Sequence, residues 1–142
     1  DLILPNLTEA SLLTGLPYRT EQDEGYIKEL LQALAALGPR YVALTGVSFE
    51  PDKLGVMYYD KVTGQYGSYF TQRLPASFHG TGDIFASTCV GGLTRGLPLG
   101  DALALAADYT VESIRLTLES PDANWYGVEF ERAIPYLVQR MN

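Results

Sequence analysis

The order of the apolar segments at the start of the chain limits the fold more than any other feature. A short apolar stretch at residues 2–4, closed by Pro5, predicts a buried β-strand. Apolar residues at helical spacing over residues 22–37 predict an amphipathic helix, and residues 41–44 predict a second buried strand. A strand, a helix and a strand in this order favour a parallel pair joined by a helical crossover. The sequence therefore predicts an α/β fold.

The remaining segments extend this pattern. A helical stretch opens at residues 6–10, with Thr8 as a candidate N-cap, and Gly15 ends it. Residues 54–59 and 68–74 predict two strands joined as an antiparallel hairpin near a sheet edge. Helical segments are then predicted over residues 83–93, 99–118 and 128–141. No internal repeat or linker interrupts the chain, so a single compact unit is predicted.

The composition excludes several classes of protein. Apolar residues make up 46% and charged residues 19% of 142 positions, which is ordinary for a globular domain. A net charge of −7 with ten scattered Lys and Arg argues against binding to nucleic acid or to an anionic membrane. No apolar run reaches membrane-spanning length, and the one cysteine cannot form an internal disulfide, so a cytoplasmic protein is expected. Because the chain begins on a strand without an initiator Met, we interpret it as a piece of a longer protein.

The stretch FHGTGDIFAS, residues 78–87, places a carboxylate beside two glycines at a helix start. Glycines at 80 and 82 let a ligand approach the backbone, and the first N–H groups of a helix are free to bind an oxyanion. The carboxylate of Asp83 could accept a proton from a hydroxyl that attacks a bound phosphate. In the alternative, Asp83 is an N-cap and the glycines only form a turn. The stretch matches neither GxxxxGK[ST] nor a GxGxxG that directly follows a strand.

Polar side chains also follow both predicted parallel strands. Asn6 and Glu9 share a face at a helix start, beyond the carboxyl end of the first strand, where ligands bind in open α/β sheets. An amide and a carboxylate there could hold the water shell of Mg²⁺ on nucleotide phosphates, or they could form a solvated helix start. Thr45 and Gly46 follow the second strand, where they could contact a phosphate or form an ordinary turn.

Two reactive side chains are given no catalytic role. His79 is the only histidine, so neither a zinc site nor a Ser-His pair can be assembled around it. Cys89 lies among small apolar residues within a predicted helix and is interpreted as a core residue.

Together these motifs resemble a known family. GTGD before an apolar helix, preceded by the strand-end motifs NxxE and TG, is similar to the C-terminal half of ribokinase-like small-molecule kinases over essentially the whole chain. DLILPNLTEASLLTG and FHGTGDIFAS most resemble the pyridoxal and pyridoxamine kinases. Ser77 and Thr81 replace residues typical of the sugar kinases, and Asp83 stands where hydroxymethylpyrimidine kinases typically carry cysteine. Both departures favour the pyridoxal kinase branch.

The resemblance implies a three-layer α/β/α sandwich whose sheet is mostly parallel with an antiparallel hairpin. Residues 1–142 would be the C-terminal, nucleotide-binding half of a single ribokinase-like domain. The family's full chains are about twice this length, so an unpaired sheet edge is expected in the isolated piece. A homodimer is expected for the protein.

The resemblance also implies catalytic roles around the glycine stretch. Asp83 would be the general base that receives the proton of the substrate hydroxymethyl group as it attacks the γ-phosphate of ATP. The backbone amides of Gly80, Thr81 and Gly82 would form the anion hole for the transferring phosphoryl group.

The remaining implied roles concern the nucleotide and its metal. Asn6 and Glu9 would organise Mg²⁺, largely through water, and Thr45 and Gly46 would contact the nucleotide phosphates. Phe78 would flank the adenine.

The implied reaction is the ATP-dependent phosphorylation of the 5′-hydroxymethyl group of pyridoxal, pyridoxamine or pyridoxine, in vitamin B6 salvage. Its cofactor is Mg²⁺ with ATP, and participation of a monovalent cation stays open. The partners are ATP and a small hydroxymethyl-pyridine, without nucleic acid or membrane. The alternatives are a ribokinase-like kinase for hydroxymethylpyrimidine or a sugar, and an inactive nucleotide-binding fragment.

Overall fold

The computed structural model describes residues 2–74, 81–119 and 130–141. The chain divides into two compact units, Asp1–Gln72 and Arg73–Asn142, which we describe separately. The predicted assignment of the whole chain to a single domain stays a prediction. No helix within the described ranges is long and apolar enough to cross a membrane.

The first unit is built on a four-stranded sheet in the order β1-β2-β3-β4. Strand β1 (Leu2–Ile3) pairs in parallel with β2 (Tyr41–Val47), whereas β3 (Lys53–Asp60) pairs antiparallel with both β2 and β4 (Gln65–Gln72). The predicted α/β class and the predicted hairpin are confirmed. The described strands form a mixed sheet, with a larger antiparallel share than the resemblance implied, because the connections from β2 to β4 are too short for helical crossovers.

Two helices belong to this unit. Helix α1 spans Leu7–Thr14, and its predicted end at Gly15 is confirmed, where a φ of 77° forms a left-handed C-cap. Its N-cap is Asn6, so the prediction of Thr8 was wrong, because Asn6 has the extended backbone of a cap and Thr8 lies inside the helix. Helix α2 spans Glu24–Ala35 after the N-cap Asp23, two residues shorter at each end than predicted.

The core of the first unit lies where α1 and α2 cover one face of the sheet. Helix α2 buries one stripe of side chains, which explains its strong helical periodicity in the sequence. The buried residues of the cluster are Leu7, Ala10, Tyr26, Ile27, Leu30, Leu31, Leu34, Ala35, Val42, Leu44, Val47 and Met57. This packing fixes the carboxyl ends of β1 and β2.

Tyrosines pack across the hairpin of β3 and β4. Tyr59 and Tyr66 stack across the strands with their ring centroids 4.6 Å apart. The ring of Tyr58 lies over Gly67, so a side chain at that position would have to displace the ring.

The second unit is helical in its described part. Helices α3 (Thr81–Thr94) and α4 (Leu99–Glu119) form a hairpin, and a 3-10 turn (Phe130–Ala133) leads into α5 (Ile134–Met141). The predicted helices are present, and α3 begins two residues before its predicted start. The last helix was predicted over residues 128–141, but the α-helix covers only Ile134–Met141, because Phe130–Ala133 form the 3-10 turn. Gly92 lets the hairpin close, because an added Cβ there would lie only 3.2 Å from the side chain of Ala102.

Candidate active site

The start of α1 forms a closed pair of hydrogen bonds between Asn6 and Glu9. The Asn6 Oδ1 accepts the Glu9 backbone N–H at 2.8 Å, and the Glu9 Oε1 accepts the Asn6 backbone N–H at 2.9 Å. This capping box satisfies two N–H groups that the helix itself cannot pair, which accounts for both residue types at this spacing. The box uses one carboxylate oxygen of Glu9, and both residues are solvent-exposed. Their predicted role toward Mg²⁺ stays a prediction.

The end of β2 lies beside this cap. Thr45 forms a parallel bridge with Asn6, and the Thr45 N–H donates to the Pro5 carbonyl at 3.1 Å. The structure therefore brings together the two predicted strand-end groups of the first unit, Asn6 with Glu9 and Thr45 with Gly46. Parallel pairing explains this arrangement, because it aligns the carboxyl ends of β1 and β2 at one edge.

A β-bulge distinguishes the end of β2. The strand was predicted to end at residue 44, but it continues to Val47 with a shift in register between Thr45 and Val47. Gly46 takes a φ of 76°, is exposed, and has no atom within 4 Å of the place of an added Cβ. Such a bulge re-aims the local backbone and leaves it open to an approaching ligand.

The sequence did not reveal the contact that follows the bulge. The backbone N–H of Ser48 donates to the Gln22 Oε1 at 3.1 Å, between residues 26 positions apart. Gln22 belongs to an open groove along the loop between α1 and α2, lined by Tyr18, Arg19, Thr20, Glu21, Gln22 and Asp23. No local sequence signal indicates a pairing at this separation.

In the second unit, the glycine stretch meets the start of α3. Thr81 is the first helical residue, so Asp83 lies inside the first turn, and its alternative role as the N-cap is wrong. Gly82 and Asp83 are exposed, and nothing lies within 4 Å of an added Cβ at Gly82. The first backbone N–H groups of such a helix have no intrahelical acceptor. Among the described residues, none hydrogen-bonds to the Asp83 carboxylate. Phe78, His79 and Gly80 lie outside the described residues.

The oxygen donors at the edge of the first unit suit a hydrated magnesium ion. The ranges that the structure describes contain no cluster of three or more His, Cys, Asp or Glu that could hold a metal. Mg²⁺ is typically held by one or two carboxylates together with water and substrate phosphates, and it seldom needs a cage of protein ligands. The amide of Asn6 and the carboxylate of Glu9 fit that mode of binding.

Cys89 lies in the interior of the second unit. Its side chain is fully buried in α3, and burial raises the pKa of its thiol to about 11. A protonated, inaccessible thiol is a poor nucleophile, which confirms its interpretation as a core residue.

Comparisons with known proteins show that this chain is similar to kinases. The sequence model of the phosphomethylpyrimidine kinase family matches residues 1–125. The chain is 34% identical over 116 residues to the thiamine biosynthesis bifunctional protein ThiED of Geobacter sulfurreducens, covering 81% of this chain and 23% of that protein. It is 29% identical to the pyridoxal kinase of Arabidopsis thaliana, covering 82% of this chain and 37% of that one. It is 30% identical to the hydroxymethylpyrimidine/phosphomethylpyrimidine kinase of Haemophilus influenzae, covering 80% of this chain and 42% of that one.

Solved structures of related kinases also superpose on this chain. A Bacteroides thetaiotaomicron protein assigned to the phosphomethylpyrimidine kinases superposes with a TM-score of 0.90 at 33% identity, over 97% of this chain and 48% of that one. The pyridoxal kinase of Lactobacillus plantarum superposes with a TM-score of 0.84 at 32% identity, over 98% of this chain and 49% of that one. The chain thus spans about half the length of these structures and less than half of the curated relatives above.

Proposed function

We propose that this chain, which belongs to the phosphomethylpyrimidine kinase family, is the nucleotide-binding half of an ATP-dependent kinase for the 5′-hydroxymethyl group of vitamin B6 compounds. Pyridoxal, pyridoxamine and pyridoxine are the proposed acceptors. The observation that carries this proposal is the exposed carboxylate of Asp83 in the first turn of α3, directly after an open glycine backbone.

The proposed chemistry uses this carboxylate as a base. The hydroxymethyl oxygen attacks the γ-phosphorus of ATP while its proton passes to Asp83, and the bond to the leaving ADP oxygen breaks. The backbone N–H groups of Gly80, Thr81 and Gly82 are proposed to stabilise the charge on the transferring phosphoryl group. Phosphoryl transfer asks a protein mainly for position and charge stabilisation, both of which a helix start can provide.

The carboxyl edge of the first unit is proposed to hold the nucleotide phosphates. Thr45 offers a hydroxyl, and Gly46 offers an exposed backbone that no side chain covers. Asn6 and Glu9 are proposed to orient the water ligands of Mg²⁺, and the ion would neutralise phosphate charge when bound. The capping box supports the proposed role of Asn6 and Glu9, because it fixes both side chains before any ligand arrives. Phe78 is proposed to lie beside the adenine.

The proposed substrate rests on two further points. Asp83 replaces the cysteine that is typical of hydroxymethylpyrimidine kinases. In addition, a crystal form of the Bacteroides protein with pyridoxal superposes on this chain with a TM-score of 0.88 at 34% identity. The second candidate is a hydroxymethylpyrimidine kinase, which the family match and the Haemophilus relative favour.

A substrate panel separates these candidates. Pyridoxal, pyridoxamine, hydroxymethylpyrimidine and ribose would be incubated with Mg-ATP and either this chain or a version extended by the half that its relatives possess in addition. We expect the extended protein to phosphorylate the B6 compounds with the highest kcat/KM. A higher kcat/KM for hydroxymethylpyrimidine would transfer the assignment to the second candidate. No transfer to any acceptor by an extended protein that folds would contradict both candidates.

A further inference from the structure

The bulge at Gly46 needs support from outside the sheet. Val47 is fully buried and pairs with Gly55 of β3, so the residue after the bulge is fixed in the core. On the other side of the bulge, Thr45 is held by the Pro5 carbonyl. Beyond Val47 the ladder with β3 ends, and the Ser48 N–H requires another acceptor.

Gln22 supplies that acceptor. Its Oε1 lies 3.1 Å from the Ser48 nitrogen, and both residues are half-buried. The Ser48 hydroxyl continues the network, since its Oγ lies 2.8 Å from the carbonyl oxygens of both Glu50 and Lys53. Ser48 is therefore held through its main chain by Gln22 and through its side chain by the following turn.

The loop that carries Gln22 is itself fixed. Asp23, the next residue, caps α2 by accepting the Tyr26 N–H at 2.8 Å. The buried Tyr26 side chain donates its hydroxyl to the Pro17 carbonyl at 2.8 Å and accepts the Arg19 N–H at 3.2 Å. Gln22 thus extends from a rigid support, which is what a group needs in order to hold another segment in place.

We infer that Gln22 is a positioning residue for the proposed phosphate-binding turn at Thr45 and Gly46. The inference rests on the proposed function of that turn. By holding Ser48, Gln22 keeps the bulge in one register, so that the exposed Gly46 backbone keeps the orientation set by its φ of 76°. Gln22 need not contact the nucleotide to act in this way.

The test compares two glutamines that each make one side-chain hydrogen bond in the first unit. Gln32 is the control, because its Nε2 donates to the Tyr66 hydroxyl at 2.6 Å, and Tyr66 lies near the opposite end of the sheet. The chain and its Gln22→Ala, Gln22→Glu and Gln32→Ala variants would be titrated with Mg-ADP in a calorimeter, and the melting temperature of each would be measured without nucleotide.

We expect Gln22→Ala to raise the Kd for Mg-ADP about three- to tenfold, the effect of one hydrogen bond, while Gln32→Ala leaves it unchanged. Both variants should lower the melting temperature, Gln22→Ala by more, because it leaves a half-buried N–H without its acceptor whereas the Gln32 hydrogen bond is exposed. Gln22→Glu keeps an acceptor for the Ser48 N–H but adds a negative charge. In about 1 M salt, which screens this charge, we expect Gln22→Glu to bind Mg-ADP with nearly the same Kd as the unmodified chain in the same salt. A glutamine with a purely structural role would change the melting temperature in these variants and leave the Kd for Mg-ADP unaffected.

Other outcomes overturn the inference at different levels. If Gln22→Ala and Gln32→Ala bind Mg-ADP as tightly as the unmodified chain, Gln22 has no positioning role and the proposed function still stands. If Gln22→Glu binds as poorly as Gln22→Ala in high salt, the acceptor is irrelevant and the inference is wrong. If the unmodified chain does not bind Mg-ADP, both the inference and the proposed nucleotide site are wrong.

Discussion

The two candidate regions, one in each unit, use their polar groups differently. At the carboxyl edge of the first unit, Asn6, Glu9 and Thr45 all take part in local hydrogen bonds or bridges. At the start of α3, Gly82 and Asp83 are exposed, and no described residue hydrogen-bonds to the Asp83 carboxylate. We propose that the first region holds a ligand in a fixed geometry and that the second provides a carboxylate for proton transfer. Binding and chemistry should therefore respond to different substitutions.

The largest expected effect comes from a substitution at the start of α3 and concerns the chemical step. In the extended, active protein, Asp83→Asn should lower kcat roughly 100- to 10,000-fold, because an amide cannot accept the substrate proton. The Kd for Mg-ADP should stay nearly constant, since the carboxylate acts in the transition state. Steady-state kinetics with pyridoxal and calorimetry with Mg-ADP would measure both.

Asp101 provides the matched control for this substitution. It is also an exposed acid in the first turn of a helix, α4, whose start lies near the end of α3 and away from Asp83. Asp101→Asn should leave kcat unchanged. Equal losses in the two variants would show that any first-turn carboxylate supports the helix hairpin, and Asp83 would lose its proposed role.

A glycine substitution tests whether the carboxyl edge of the first unit binds the nucleotide. Gly46 and Gly64 have φ angles of 76° and 74°, and neither has an atom within 4 Å of an added Cβ. Alanine at either position should cost about 1–2 kcal/mol of unfolding free energy, because the left-handed conformation strains a side chain. Only Gly46→Ala should also weaken Mg-ADP binding, as Gly64 lies in the turn between β3 and β4. Weaker binding in both variants would remove Gly46 from the phosphate site.

A smaller effect separates the two uses of Glu9. Gln at this position can still accept the Asn6 N–H, so Glu9→Gln should preserve the capping box and change the stability by less than about 0.5 kcal/mol. The Mg²⁺ concentration for half-maximal activity should rise several-fold, since the negative charge near the ion is lost. Glu24→Gln, in the first turn of α2, is the control. An unchanged Mg²⁺ requirement would leave Glu9 with the cap alone.

The smallest expected effect concerns an ion pair that has no part in either region. The Arg40 side chain hydrogen-bonds to Asp60 and holds the pKa of that carboxyl below its ordinary value of 3.8. A lowered folded-state pKa gives stability that is present above the ordinary pKa and is lost as the pH falls through the folded-state value. Asp60→Asn should therefore slightly flatten the acid side of the stability profile without changing kcat. A change in the pH dependence of kcat would contradict this separation.

Much of the fold could be predicted from the sequence, because its strongest signals are local. The apolar periodicity of α2 predicted burial on one face, and Gly15 predicted the end of α1, both of which the structure confirms. The N-cap of α1 was assigned to Thr8 although Asn6 is equally suitable by residue type. The spacing from Asn6 to Glu9 is the signal of a capping box and would have identified Asn6.

The site was less accessible to prediction. Gly46 inside an apolar strand pattern is a signal of a bulge, and that signal was read as the end of the strand. The contact between Gln22 and Ser48 carries no local signal, because it joins a loop to a strand end through tertiary packing. The proposed site roles stay predictions until they are measured. They concern Asn6, Glu9, Thr45, Gly46, Phe78, Gly80, Thr81, Gly82 and Asp83.

The central claim is that this chain holds the nucleotide, and calorimetric titration of the chain with ADP in the presence and absence of Mg²⁺ tests it most directly. We predict one saturable site whose affinity falls when Mg²⁺ is removed, together with a rise in melting temperature that corresponds to about 2.7 kcal/mol at a hundredfold excess over Kd. An absence of binding heat and of any thermal shift at millimolar Mg-ADP would contradict the claim.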